Sequence, residues 1–300
     1  MIAAAHARAR WAVALAPVIA LLTVSATDQP GDLLKQSGPW NMDYATNACH
    51  LSATFGEGKN EVKARFTRNG PQDSLRVTLM GSRLGYQSEL RSRAQLEFRP
   101  SSEKSALSFV THGSVGPKNA QIPVVFSESM RLDNMDSPGS GVADLPRVTA
   151  DTEKAVSGLY VKLSGREPFT LDLVSMAAPM AAMRACTDDL VRSWGFDPAE
   201  IAARPKRAEP ASKPGQWAQT GDYPDAMLAR GTSAIVDFRL VIDETGAVAN
   251  CFVLGSTTPA TIGPYSCDVI KRRAKFTPSL DKDGKPAKDY YINRIFWRAT

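Results

Sequence analysis

Histidine is scarce in this chain. There are three among 300 residues, and His6 falls in an N-terminal stretch that reads as a leader, leaving His50 and His112. No Gly-x-Ser-x-Gly elbow, His-Glu-x-x-His pair or phosphate-cradling glycine loop occurs, so nucleophile, zinc and nucleotide sites lack their usual local framework. Asp188 and Asp189 are adjacent carboxylates, but neighbouring helical positions point about 100° apart, which keeps them from sharing a proton or a metal. Cys49-His50 with Cys186 has no recognisable ligand spacing, and Asp281-Lys282-Asp283-Gly284 is too short for a calcium loop. A protein that is not an enzyme and carries no cofactor or metal is therefore expected. A strong charge of one sign is also lacking. Two of the 36 basic residues, Arg8 and Arg10, lie in the leader, and the other 34 face 31 acidic residues, a balance too mild for nucleic acid binding. No internal repeat is present, and beyond the leader no run is long and apolar enough to cross a membrane.

Residues 1–26 read as a signal peptide. Arg8 and Arg10 form a positive start, Trp11 to Val24 carries no charge, and Val24-Ser25-Ala26 offers a small-residue cleavage site. The uncharged stretch from Trp11 to Ala26 is shorter than the roughly 20 residues of a spanning helix and contains Pro17, so cleavage is expected; the rival is a retained inner-membrane anchor. Export implies an oxidising, periplasmic setting, in which four cysteines form two disulfides with three possible connectivities. Cys251 lies on an expected strand and Cys267 on the helix stripe that packs over the same sheet. Their pairing is expected, and it leaves Cys49 with Cys186.

From residue 27 to 200 the chain reads as an antiparallel β-rich domain. Short apolar runs at Cys49 to Phe55, Val62 to Phe66, Leu75 to Met80, Gln95 to Phe98, Ala106 to Thr111, Ile122 to Phe126, Gly158 to Leu163 and Phe169 to Val174 are separated by turn-forming clusters, a pattern that suggests a sandwich or an open barrel. Ser137 to Gly141 is a glycine-bearing loop that does not lie between a strand and a helix. The domain closes on a helix from Met176 to Trp194, whose Met180, Met183, Leu190 and Trp194 stripe reads as core. Residues 201–216, with Pro205, Pro210 and Pro214, read as a short semi-rigid linker.

Residues 217–300 carry the more specific signals. A short helix over Tyr223 to Gly231 precedes a strand in which Ala234, Val236, Phe238, Leu240 and Ile242 share one apolar face. Asp243-Glu244-Thr245-Gly246 turns the chain into a second strand, Val248 to Leu254. A helix from near Pro264 follows, with Cys267, Ile270 and Ala274 on one stripe and Lys271, Arg272, Arg273 and Lys275 on a solvated or lipid-facing side, before a third strand, Tyr290 to Trp297. This order, with Tyr-Pro before the first helix, Asp-Glu-Thr-Gly in the hairpin, Arg-Arg-Ala-Lys-Phe-Thr-Pro at the second helix exit and Gly-Lys-Pro before the last strand, resembles the TonB C-terminal domain family. The resemblance covers about residues 217 to 298. It departs from the family at Ala234, Thr257-Thr258 and Gly263, all at turns or element starts. The upstream block resembles a companion domain that precedes TonB-like domains in some exported bacterial proteins.

The fold class expected is therefore α+β, a β-rich N-terminal domain ending in a helix and then a small αββαβ domain with a three-stranded antiparallel sheet. In the family, the final domain docks an extended segment of a partner against an exposed strand edge. Carried onto this sequence, the resemblance marks Tyr290, Tyr291, Ile292, Arg294, Phe296 and Arg298 as partner-binding and implies a protein partner such as an outer-membrane TonB-dependent receptor, with membrane contact only through a retained leader. The short linker and the cleavable leader depart from a true energy transducer, which has an uncleaved membrane helix and a long proline-rich spacer. The competing reading is a soluble periplasmic ligand-binding protein that uses its β domain.

Overall fold

The computed structural model describes residues 31–101, 108–135, 145–257 and 259–299. The expected leader, the Ser137 to Gly141 loop and the first two residues of the Ala106 to Thr111 run lie outside the described residues. The fold is mixed α+β, mostly sheet with few helices. Its larger part is one curled sheet of ten strands, β1 (Asp32–Lys35), β2 (Asn41–Ala45), β3 (Ala48–Phe55), β4 (Val62–Arg68), β5 (Leu75–Met80), β6 (Arg91–Arg99), β7 (Ser108–Val115), β8 (Ile122–Met130), β9 (Gly158–Leu163) and β10 (Phe169–Asp172). They lie side by side in the order β1-β10-β9-β6-β7-β8-β5-β4-β3-β2, antiparallel except for the parallel pair β1 and β10. The curl brings the two ends together. Gln36, just past β1, bridges to Phe55 of β3, flanked by hydrogen bonds from the Ser37 amide to the Thr54 carbonyl (2.8 Å) and from the Gly56 amide to the Lys35 carbonyl (2.8 Å).

Period-two patterning explains both the strands and the curl. In β3, Cys49, Leu51, Ala53 and Phe55 point inward, while His50, Ser52 and Thr54 point out. Phe55, Phe66, Val77, Leu79 and Phe98 are fully buried on the inner face, so that face is filled by its own side chains. After α1 (Ala150–Ala155), α2 (Ala177–Ser193) adds Met180, Met183 and Leu190 to the same core, as expected of its stripe. The Cys49–Cys186 disulfide ties this helix to β3.

The remaining elements are α3 (Pro198–Ala203), β11 (Glu209–Pro210), α4 (Asp225–Leu228), β12 (Ala234–Ile242), β13 (Val248–Ser256), α5 (Ile262–Arg273), β14 (Phe276–Thr277), β15 (Ser279–Leu280), β16 (Pro286–Ala287) and β17 (Asp289–Trp297). The three long strands form an antiparallel sheet in the order β13-β12-β17, with α5 over one face. The hairpin between β12 and β13 closes on Asp243, whose carboxylate accepts the Thr245 and Ala247 amides at 2.9 Å each. Gly246 there has φ +82°, and a Cβ on it would lie 2.0 Å from the Phe276 carbonyl oxygen, so no other residue fits. The Cys251–Cys267 disulfide joins β13 to α5. Both pairings match the expectation, and together they fit an oxidising compartment. Among the described residues no helix is long and apolar enough to cross a membrane.

The proline-bearing stretch at 204–215 is woven into this second part of the fold. β11 pairs with β14, and the Arg207 guanidinium grips Asp289 through two bonds of 2.8 Å.

Candidate functional site

β17 pairs with β12 along its whole length, Ala234 opposite Trp297 and Ile242 opposite Asp289. Among the described residues no other strand pairs with it, so one long edge of β17 has no strand neighbour there. In an antiparallel pair, alternate residues aim both backbone groups away from the neighbour. The Tyr290 and Arg294 amides donate to the side chains just before them, Asp289 Oδ1 (2.8 Å) and Asn293 Oδ1 (2.7 Å), which places residues 290, 292, 294 and 296 in the outward set. Self-capping of this kind blunts an exposed edge against unwanted pairing. The Tyr290 carbonyl is also taken, by Arg207 Nη2 at 3.4 Å. Among the described residues, nothing pairs with the outward backbone groups of Ile292 and Phe296.

Beside the second half of this edge runs a groove of about 470 Å³. One wall is the segment from Pro214 to Tyr223, the other is Asn293 to Arg298, and Phe238 and Ile270 reach its floor. Its walls are held firmly. Trp217 is buried against Phe276 and Tyr291, with ring centroids at 5.5 and 5.9 Å, and Arg273 anchors the same segment by donating to the Trp217 carbonyl (3.0 Å) and to both carboxylate oxygens of Asp222. That ion pair holds the Asp222 carboxyl below its ordinary range.

The six residues carried over from the resemblance separate into three settings. Tyr291 faces α5, beside Phe276 and Trp217; burial pushes its hydroxyl up to about 12, and it accepts from Asn293 Nδ2 at 2.8 Å. Tyr290, Ile292 and Arg294 face the opposite way, toward the curled sheet. Tyr290 is buried, edge-on to Trp194 and Phe196 at 5.1 and 5.3 Å. The Ile292 side chain lies over Gly70, where a Cβ would come within 2.4 Å of it. Arg294 Nε donates to Asp237 Oδ1 at 2.6 Å, and Asp237 also receives Arg76 Nη2 from β5 at 2.6 Å. Phe296 is 41% exposed, and Arg298 stacks over its ring at 5.8 Å. Only this last pair meets solvent at the groove. The aromatic content of both faces of β17 has a simple cause: the strand is covered by α5 on one side and by the curled sheet on the other.

Sequence reasoning missed this second covering. Asp237 and Arg239 occupy polar alternate positions of β12, opposite its apolar face, yet both are buried. The Arg239 guanidinium lies 4.4 Å from the ring centroids of both Trp194 and Phe252, a double cation–π contact that joins the three-stranded sheet to the end of α2. Burial lowers its pKa to about 10. A stray Arg in an apolar strand, with a Trp at the end of α2, was the available signal. Among the described residues no group of three His, Cys, Asp or Glu is placed to hold a metal ion. No protein-family model matches the chain, and no curated protein matches it.

Proposed function

We propose that the chain is an exported, two-domain protein-interaction module that accepts an extended segment of a partner along the second half of β17. The observation that carries this reading is the groove beside residues 293–298, next to an edge whose Phe296 backbone groups have no partner among the described residues. Adding a strand there supplies main-chain hydrogen bonds, while the Phe296 and Arg298 side chains supply choice. The likeness of residues 217–298 to the TonB C-terminal domain family supports a partner of the outer-membrane receptor kind and a place in TonB-dependent transport. The two disulfides are consistent with work in the periplasm, and contact rather than catalysis is the proposed activity.

The test uses isotope-labelled full chain and peptides copied from receptor plug segments. Amide shifts concentrated at residues 294–298 and 214–220 are expected. Shifts confined to the β13 edge or to the curled sheet, or none at millimolar peptide, would refute the reading.

A further inference from the structure

The curled sheet carries a second surface, unrelated to the β17 groove. At the far end of the β7–β8 hairpin, Val115 and Ile122 stand opposite each other on the outer face, each 46% exposed. Tyr86 reaches the same corner, its hydroxyl on the Gln121 carbonyl, and is 61% exposed. Farther along the outer face of β7, Phe109 is 57% exposed. A cluster of large apolar side chains on one side of a sheet is unusual for an isolated surface.

On the outer face of β6 the described charges that flank Phe109 are cationic. Register places Arg91 and Arg93 of β6 beside Phe109, and their guanidinium carbons lie 5.3 and 5.9 Å from its ring centroid. Among the described residues neither arginine has a carboxylate partner. Lys118 adds a third exposed cation at the hairpin tip. The outward carboxylate of β6, Glu97, is buried and paired with Arg99, so it does not offset them. Glu89 is the one exposed acid in the adjoining loop. Apolar side chains projecting among cations, with a tyrosine whose polar tip stays wet, match the layering of a bilayer whose headgroups are anionic.

We infer that the outer face of the β7–β8 hairpin docks on an anionic lipid surface, with Ile122, Val115 and Phe109 entering the headgroup boundary and Arg91, Arg93 and Lys118 meeting lipid phosphates. This places the β17 groove on a protein held against a membrane by its first sheet. The inference stands whether or not the groove binds a peptide.

The experiment uses full-length protein with vesicles of phosphatidylcholine alone and of phosphatidylcholine mixed with phosphatidylglycerol. Because residues 1–30 are present in every sample, the comparison is between parent and variants. The parent partitions onto the mixed vesicles and loses binding as salt rises. Arg91→Gln and Arg93→Gln each weaken partition about fivefold, and Val115→Ser with Ile122→Ser weakens it further, with circular dichroism and thiol counts unchanged. Ile122→Trp adds fluorescence that brominated phosphatidylglycerol quenches. Partition equal in parent and variants, or unquenched added fluorescence, would overturn the assignment. So would a dimer of the parent that the serine substitutions dissolve, because the corner would then be covered by a second copy.

Discussion

Replacing Asp289 by alanine tests how β17 is rooted. Its carboxylate is fully buried and takes four bonds, two from Arg207 and one each from the Ala208 and Tyr290 amides at 2.9 and 2.8 Å. Burial alone would raise its pKa, but the Arg207 pair and the two amides outweigh it and hold the carboxyl below its ordinary value. Bonds to a charged acceptor contribute about 1.5–3 kcal/mol each. Arg207 is 40% exposed and regains water when the pair is broken, so its share is discounted, whereas the two buried amides are left without an acceptor. A loss of about 3 kcal/mol follows, or some 6–12 °C in Tm for a domain of this size. The assay is thermal and urea unfolding of parent, Asp289→Ala and Asp289→Asn near neutral pH, with the asparagine variant expected to lie between. The pH dependence has a definite sign. A carboxyl whose folded pKa is depressed stabilises fully above its unfolded value, near 4, and the contribution is lost as pH falls through the lower folded value. The difference between parent and Asp289→Ala should therefore shrink in acid below about pH 4. A loss under about 1 kcal/mol, or one that grows in acid, would refute this account of the strand's anchorage.

The seam between the two sheets gives a further prediction. Asp237→Ala removes the carboxylate that Arg76 and Arg294 share and should cost about 1.5–3 kcal/mol, with amide shifts in both β5 and β17; shifts in one sheet alone would show that the joint is not shared. Removing Cys251–Cys267, which closes a separation of 16, should cost about 3 kcal/mol, and removing Cys49–Cys186, across 137, about 5 kcal/mol in the chain-entropy account; calorimetry of the paired serine variants checks the order. Asn293→Ala uncaps the Arg294 amide and should tighten plug-peptide binding severalfold; weaker binding would mean that Asn293 itself contacts the guest.

Much of the fold was legible because apolar alternation marks a strand with one buried face. Where they are described, the eight expected runs of the first part fall on strands, although the last stops at Asp172 and leaves Leu173 and Val174 outside, and the β12–β13 hairpin announced itself through Asp243 and Gly246. β1 and β2 were not legible. Asn41-Met42-Asp43-Tyr44-Ala45 buries little and holds its place by pairing with β3, a contact that leaves no local pattern. Nor does alternation distinguish two packed sheets from one sheet curled until its ends meet, since each requires one apolar face. At the candidate site, the strand and its aromatic content were visible, but what covers its even-numbered face was not. That covering comes from Gly70, Trp194 and Arg76, which lie far away in sequence and carry no mark of their destination.

The Cys49–Cys186 bond has a practical corollary for anyone handling the protein. It encloses nearly the whole curled sheet in a single covalent ring, so one proteolytic nick at an exposed turn such as that around Tyr86 releases nothing. The clipped molecule would run as one band on a gel until a reductant is added, and only then fall into two fragments.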